Sequence, residues 1–245
     1  MDSLGIISGT MPLSGLGLFD HLRKERFHYD SGQIEVCTGE DMVFIARHGQ
    51  ESDNFTPPHL VPHLLHFKAL AELGVREAIG IYSTGSLKVH FKPGTLLVPD
   101  DFICLYPTPT SITDAPRHIT PGLDNGVRKN LIATAEELNL QIVDGGIYWQ
   151  TAGPRLETKA EIRMMACTAD VVGMTLASEA VMAKEFGIAF GAVCSIDNYA
   201  HGIGNAELKE ADIRIQSKRN AEKIGSIVSR YIEAFRLRTR LTDRV

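Results

Sequence analysis

Apolar residues in this chain gather in short runs. Leu4–Ile7, Met42–Ala46, Ala78–Tyr82, Thr95–Val98 and Ala189–Cys194 are each bounded by Gly, Pro or charge. Runs of that length and flanking predict buried strands. Between them the pattern lengthens to a helical period. Pro62–Leu73 predicts a helix that Gly74 closes as a C-cap, and Asn125–Leu138, Lys159–Cys167 and Ser178–Phe186 predict three more. Ile224, Ile227, Val228, Tyr231, Ile232 and Phe235 then fall on one face of a last long helix. Its end, Arg236–Val245, carries four arginines and is expected to fray. Alternating strands and helices predict one α/β domain over residues 1–235, a central mixed β-sheet flanked by helices. In such sheets ligands collect beyond the strand C-termini.

Composition narrows the function classes. Hydrophobic residues make up 44% of the 245 and charged residues 22%, enough for a large core and too apolar for disorder. The formal net charge of −5 argues against a nucleic-acid partner. No apolar run approaches the roughly 18 residues of a membrane helix. The start, Met1-Asp2-Ser3-Leu4, lacks the basic and apolar regions of a signal peptide. Cys37, Cys104, Cys167 and Cys194 form no CxxC pair, which suits free thiols in a reducing cytoplasm. A cytoplasmic protein without membrane or nucleic-acid partners is the expectation.

Several familiar motifs do not occur. Ser14-Gly15-Leu16-Gly17-Leu18-Phe19-Asp20 contains GxG, but Asp20 stands where a dinucleotide fingerprint needs its third glycine. There is no Walker A loop, HExxH or GxSxG elbow, and Tyr82-Ser83-Thr84-Gly85-Ser86 fails the elbow spacing. His59, His63 and His66 would share a face only if helical throughout. Pro62 starts the helix after His59, and no carboxylate or thiolate follows at a ligand's spacing. Neither a metal nor an organic cofactor is expected.

Three strand ends run into loops suited to an anion: Ser8-Gly9-Thr10, Arg47-His48-Gly49 and Ser83-Thr84-Gly85-Ser86. They offer backbone N–H groups, hydroxyls and one guanidinium fork. Each alone is an ordinary turn. Together, after three strands of one sheet, they point to phosphate. Arg47, directly behind an apolar strand, needs a partner if buried.

The ordered set Gly5-Ile6-Ile7-Ser8-Gly9-Thr10, Arg47-His48-Gly49, Thr84-Gly85-Ser86-Leu87, Lys92-Pro93-Gly94 and Pro99-Asp100-Asp101-Phe102-Ile103 continues into Ala152-Gly153-Pro154-Arg155-Leu156-Glu157-Thr158-Lys159-Ala160-Glu161. Val172-Gly173-Met174-Thr175 follows, before Glu179-Ala180. Across about residues 4–235 this resembles the purine nucleoside phosphorylase and 5′-methylthioadenosine phosphorylase family, most specifically in the AGPxxET block followed by GM[ST]. The resemblance implies a nucleoside-phosphorylase-like fold and a homotrimer or a hexamer built from trimers. It implies transfer of a purine nucleoside's sugar to inorganic phosphate, a co-substrate, with no cofactor. By similarity, Thr10, Arg47, His48, Ser83 and Thr175 would hold phosphate, and Met174 would lie against the ribose.

Glu157 and Asn198 carry the choice of base. A 6-oxopurine presents N1–H as donor and O6 as acceptor, and N7 must be held as the base leaves. Ionised Glu157 accepts from N1–H, and Asn198 pairs with O6 and N7. The family's 6-oxopurine members have Glu and Asn at the matching places, whereas adenosine-type members have a small hydroxyl residue and Asp. The sequence therefore predicts inosine- or guanosine-type substrates, with His48 and Asn198 in the catalytic roles. A one-residue shift would put Asp197 on the base instead and favour 5′-methylthioadenosine. Glu157 can alternatively serve as a carboxylate at the N-terminus of the Lys159–Cys167 helix. Leu208, near where ordinary ribonucleoside members place a histidine, would suit a 5′-methylthio group as in S-methyl-5′-thioinosine, or be a core leucine. A phosphate-independent nucleoside hydrolase and a non-catalytic purine-binding protein are the remaining readings.

The chain departs from the family in three places. Ser8-Gly9-Thr10-Met11-Pro12 replaces a GGTG-like loop, Tyr82 stands where a small or hydroxyl residue is usual, and Pro62-His63-Leu64-Leu65-His66 replaces an NYxAN-like helix start. These changes bear on phosphate geometry and one pocket wall. The Pro- and Thr-rich stretch from Asp101 to Gly122, with His118, is a candidate flap or intersubunit segment.

Overall fold

In the computed structural model, residues 3–11, 13–49, 55–204 and 210–242 are described. The strands are β1 (Ser3–Ser8), β2 (Arg23–Tyr29), β3 (Gly32–Thr38), β4 (Met42–Ala46), β5 (Val75–Ser86), β6 (Leu96–Val98), β7 (Asp101–Cys104), β8 (Ile142–Asp144), β9 (Ile147–Gln150), β10 (Val171–Gly173) and β11 (Ala189–Tyr199). The helices are α1 (His63–Glu72), α2 (Asn125–Glu137), α3 (Lys159–Met165), α4 (Leu176–Phe186) and α5 (Glu210–Thr242).

All the strands join one mixed sheet whose hub is β5. Parallel β1 pairs with its first half, antiparallel β10 with Gly85 and Ser86, and parallel β11 with residues from Glu77 to Ser86. Helices cover both faces. Leu65, Phe67 and Leu70 of α1 share a core with Leu176, Ala180 and Met182 of α4. Val127 and Leu131 of α2 share the opposite core with Ile224, Ile227, Val228 and Tyr231 of α5. Strands buried on both sides read as unbroken apolar runs, as β4 and the Ala78–Tyr82 and Ala189–Cys194 parts of β5 and β11 do.

Local chemistry sets the helix ends. Asp124 caps α2 by accepting from the Val127 N–H, and Thr158 with Glu161 forms a capping box on α3. Gly187, with φ +69°, closes α4 in the left-handed region.

Residues 236–242 of the tail expected to fray belong to α5, which runs to Thr242, and 243–245 lie outside the described residues. Arg236 grips Asp41 at 2.7 and 3.1 Å, and Arg238 meets Glu77 at 2.6 Å while lying over the Tyr231 and Phe235 rings. The arginines bind the helix to β5 and to the β3–β4 turn. In the Asp101–Gly122 stretch, Glu185 of α4 accepts from the Thr110 and Ser111 hydroxyls and the Ser111 N–H. No helix of the described residues is long and apolar enough to cross a membrane.

Candidate active site

One cleft of ≈ 190 Å³ collects Thr10, Arg47, His48, Ser83, Glu157, Met174, Thr175 and Asn198 from six strands and the loops behind them. Leu208 lies outside the described residues.

Arg47 enters at the end of β4 and is 2% exposed. Its Nε and Nη2 donate to the two oxygens of Glu179, which is fully buried in α4, and its Nη1 donates 3.2 Å to the Ile81 carbonyl. That uses three of five N–H donors, leaving one on each terminal nitrogen. Burial works against both charges, yet the pair overrides it: Glu179 is held well below the usual carboxylate range and Arg47 above its ordinary value. Tyr82 Oη also donates to Glu179, at 2.5 Å, and the guanidinium lies 4.5 Å over the Tyr82 ring. The tyrosine at this unusual position thus supports the arginine. Gly9 lets the first loop lie on the guanidinium, since a Cβ there would stand 2.5 Å from Arg47 Nη1.

His48 donates through Nδ1 to the Thr56 carbonyl at 2.7 Å and stacks on Phe55, centroids 4.8 Å apart. A carbonyl partner fixes the tautomer, so Nε2 carries a lone pair. Burial, and then Arg47, push His48 down to about 4, and the ring is neutral near pH 7. Thr175 precedes α4 without capping it through its side chain, and its N–H donates to Tyr148 Oη at 3.3 Å. The positive end of the α4 dipole therefore faces the cleft.

Met174 lies against Gly153, where φ is +66° and a Cβ would meet its sulfur at 2.6 Å. Beyond it, the buried Glu157 accepts from the Thr151 hydroxyl at 2.7 Å. It does not cap α3, which Thr158 and Glu161 cap between themselves. Asn198 donates to the Tyr199 carbonyl at 2.8 Å, leaving its oxygen and one N–H for the cleft. Asp197 is not among the cleft residues. It is 2% exposed and accepts from Ser83, Ser195 and Asn220.

The three histidines do not share a face. His59 lies exposed in a 3-10 turn (Pro58–Leu60), while His63 and His66 are buried in α1. His63 Nδ1 stands 3.5 Å from Glu179. Sequence reasoning assigned no role to Glu179, although the residue belongs to the matched motif, and it missed His201, which approaches the Glu157 carbonyl at 3.3 Å on the cleft wall. A charge opposite a buried arginine was the available signal for Glu179. Nothing local marks His201.

Residues 5–233 match the family model described as the phosphorylase superfamily. A probable 6-oxopurine nucleoside phosphorylase of Archaeoglobus fulgidus is 38% identical, covering 94% of this chain and 96% of its own. A probable S-methyl-5′-thioinosine phosphorylase of Methanothermobacter thermautotrophicus is 37% identical over 69% of this chain and 60% of its own. The crystal structure of a methylthioadenosine phosphorylase from an antarctic soil metagenomic library superimposes with a TM-score of 0.83 at 25% identity, covering 95% of this chain and 86% of that one. Motif, fold and relatives agree that the chain belongs to the phosphorylase superfamily, as an enzyme of the nucleoside phosphorylase kind.

Proposed function

We propose that the cleft phosphorolyses purine nucleosides, preferring 6-oxopurines, to free base and ribose 1-phosphate or its 5-methylthio analogue. The observation that carries this reading is the polarity of one cleft. A buried arginine, a helix N-terminus and hydroxyls stand at one end, and a carboxylate with a carboxamide at the other. Thr10, Arg47, His48, Ser83 and Thr175 would hold phosphate beneath C1′. Neutral His48, with its Nε2 lone pair, suits the proton of a hydrogen phosphate.

A phosphate oxygen bonds to C1′ as the C1′–N9 bond breaks, and the bond's electron pair goes to the purine. The sugar passes through a cationic state between two anions. A fixed dianion stabilises that state and aligns the nucleophile. Asn198 would hold N7 and O6 of the departing base, and Glu157 would accept from N1–H. The turn of Asp197 away from the cleft supports Asn198 as the base reader. A site built to pair O6 and N1–H leaves its own polar groups unmatched by a 6-aminopurine, a discrimination of about 10⁴ or more. The 5′ group is hydroxyl or methylthio. The assembly is a cytoplasmic homotrimer, or a hexamer built from trimers, on the strength of the family resemblance. The second reading, a 5′-methylthioadenosine phosphorylase, draws on the antarctic-soil enzyme's name.

The test offers inosine, guanosine, methylthioinosine and methylthioadenosine with and without phosphate and follows base release. Phosphate-dependent release favouring the 6-oxopurines is expected. Phosphate-independent release would make the protein a hydrolase, tight binding without release a purine-binding protein, and methylthioadenosine as best substrate would overturn the base-reading argument.

A further inference from the structure

A hydroxyl has one proton to donate, and Ser83 has already given its own away. Ser83 lines the cleft, yet its Oγ donates 2.5 Å to Asp197 Oδ2. In that state it offers an anion only lone pairs, which repel it. Asp197 sits behind the cleft wall in a sealed polar nest. Its Oδ1 accepts from Ser195 Oγ and Asn220 Nδ2, each at 2.7 Å. Ser217 of α5, buried and with no other partner, adds a further hydroxyl beside it.

We propose that Asp197 is a positioning residue for the anion end of the cleft: Ser83 donates to bound phosphate only when Asp197 carries a proton and donates to Ser83 Oγ in turn. The inference rests on reading this cleft as a phosphate site. In atoms, one solvent proton adds to Asp197 Oδ2, the Asp197–Ser83 bond reverses its direction, and the Ser83 O–H turns into the cleft. Binding of the anion is then linked to uptake of that proton, and the two strengthen each other. A carboxylate at this place is itself the unusual feature, because it stands a few ångströms behind a site for a dianion and would repel it while ionised.

The surroundings favour the protonated form. Burial pushes the Asp197 carboxyl up from its ordinary value, although Ser83, Ser195 and Asn220 donate to it. The groups facing it are Ser83 of β5, Cys194 and Ser195 on its own strand, and Ser217 and Asn220 of α5. Of these only the Cys194 thiol titrates, and burial pushes it up, out of range. The Arg47–Glu179 pair nearby is internally neutralised.

The Asp197→Asn variant tests this. Its Oδ1 keeps Ser195 and Asn220, and its Nδ2 donates permanently to Ser83 Oγ, copying the protonated acid. Calorimetry with sulfate, a dianion that needs no proton of its own, in two buffers of different ionisation enthalpy counts protons taken up on binding. Wild type should take up more than Asp197→Asn, by up to one proton. His48 contributes equally to both. Above the titration of Asp197 the variant should bind sulfate about tenfold more tightly for each pH unit of separation. Equal uptake, or weaker binding by the variant, overturns the proposal. Should Asp197→Asn not fold, Ser83→Ala serves: it should bind sulfate more weakly and lose the same share of uptake, and unchanged uptake overturns the proposal. If wild type binds neither sulfate nor phosphate, the phosphate reading falls first and takes this inference with it. If it binds them without the uptake, only the inference falls.

Discussion

Exchanging Glu179 for Gln keeps the side chain's volume and one carbonyl oxygen but removes the charge that balances Arg47. Glu179 is 0% exposed and Arg47 2%, so neither group can find water in exchange. The new amide nitrogen would also face a guanidinium N–H, donor against donor. Breaking one partner of a buried ion pair costs about 3–5 kcal/mol. At roughly 2–4 °C per kcal/mol for a chain of this length, the melting temperature should fall by about 6–20 °C. The KM for phosphate should rise with it, because the fork that orients Arg47 is lost. The acid limb gives a second check. The folded value of Glu179 is lowered, so its stabilisation is complete above the unfolded carboxylate value and is lost as pH falls through the folded one. The gap between wild type and Glu179→Gln should therefore narrow below about pH 4. Scanning calorimetry against pH, with phosphate kinetics alongside, measures both. A melting temperature within about 2 °C of wild type near pH 7 would refute the claim that Glu179 holds Arg47 in place.

Asn198→Asp should shift preference toward 6-aminopurines in competition assays; an equal loss on all bases would remove the base-reading role. Burial first, then neighbouring positive groups, push His48 to about 4 and His66 to about 3, so both are neutral when folded. Unfolded histidines bind protons below about 6.5, so stability should fall from there toward about pH 4, by about 1.4 kcal/mol per pH unit for each proton taken up. Urea unfolding at a series of pH values checks this, with His66→Gln removing about one proton from the slope. A flat profile would count against it. Gly153→Ala forces a Cβ onto Met174 and an alanine into the left-handed region, at a cost of about 1–2 kcal/mol. The KM for nucleoside should rise while that for phosphate stays, and unchanged kinetics would detach Met174 from the sugar.

The parts of the fold legible in sequence were those whose burial is continuous. Met42–Ala46 matches β4 residue for residue, and Asn125–Leu138 differs from α2 by one. The hairpin of β2 and β3 was missed because Arg23–Tyr29 opens with four charged residues and buries none of its side chains, giving no apolar run. Three-residue strands such as β8 and β10 are too short to show a period. The far halves of β5 and β11 were missed for a reason tied to chemistry. Ser83-Thr84-Gly85-Ser86 and Ser195-Ile196-Asp197-Asn198 look like loops in sequence, but their hydroxyls and carboxylate satisfy one another inside the sheet. Polar residues there are buried in pairs, which no single segment reveals.

The same segment shows why the base-reading residue could be named but not fixed from sequence. Strand alternation would send Asp197 and Asn198 to opposite faces, so a one-residue error in alignment would exchange their roles. The register resolves it. On β11, Ile196 lies opposite Thr84 and Asn198 opposite Gly85, so Asp197 is the extra residue of a bulge. A bulge leaves the extra residue unpaired, bends the strand and re-aims the side chains beside it. Asp197 is thereby directed to Ser83 and α5, and Asn198 to the cleft over Gly85, where a Cβ would already press on its amide at 3.3 Å. The bulge puts a carboxylate behind the anion end and a carboxamide on the purine end of one cleft. A single backbone irregularity therefore ties base choice to the state of the anion site. Substitutions at Asp197 should accordingly change phosphate and nucleoside kinetics together, whereas those at Asn198 should fall mainly on the nucleoside.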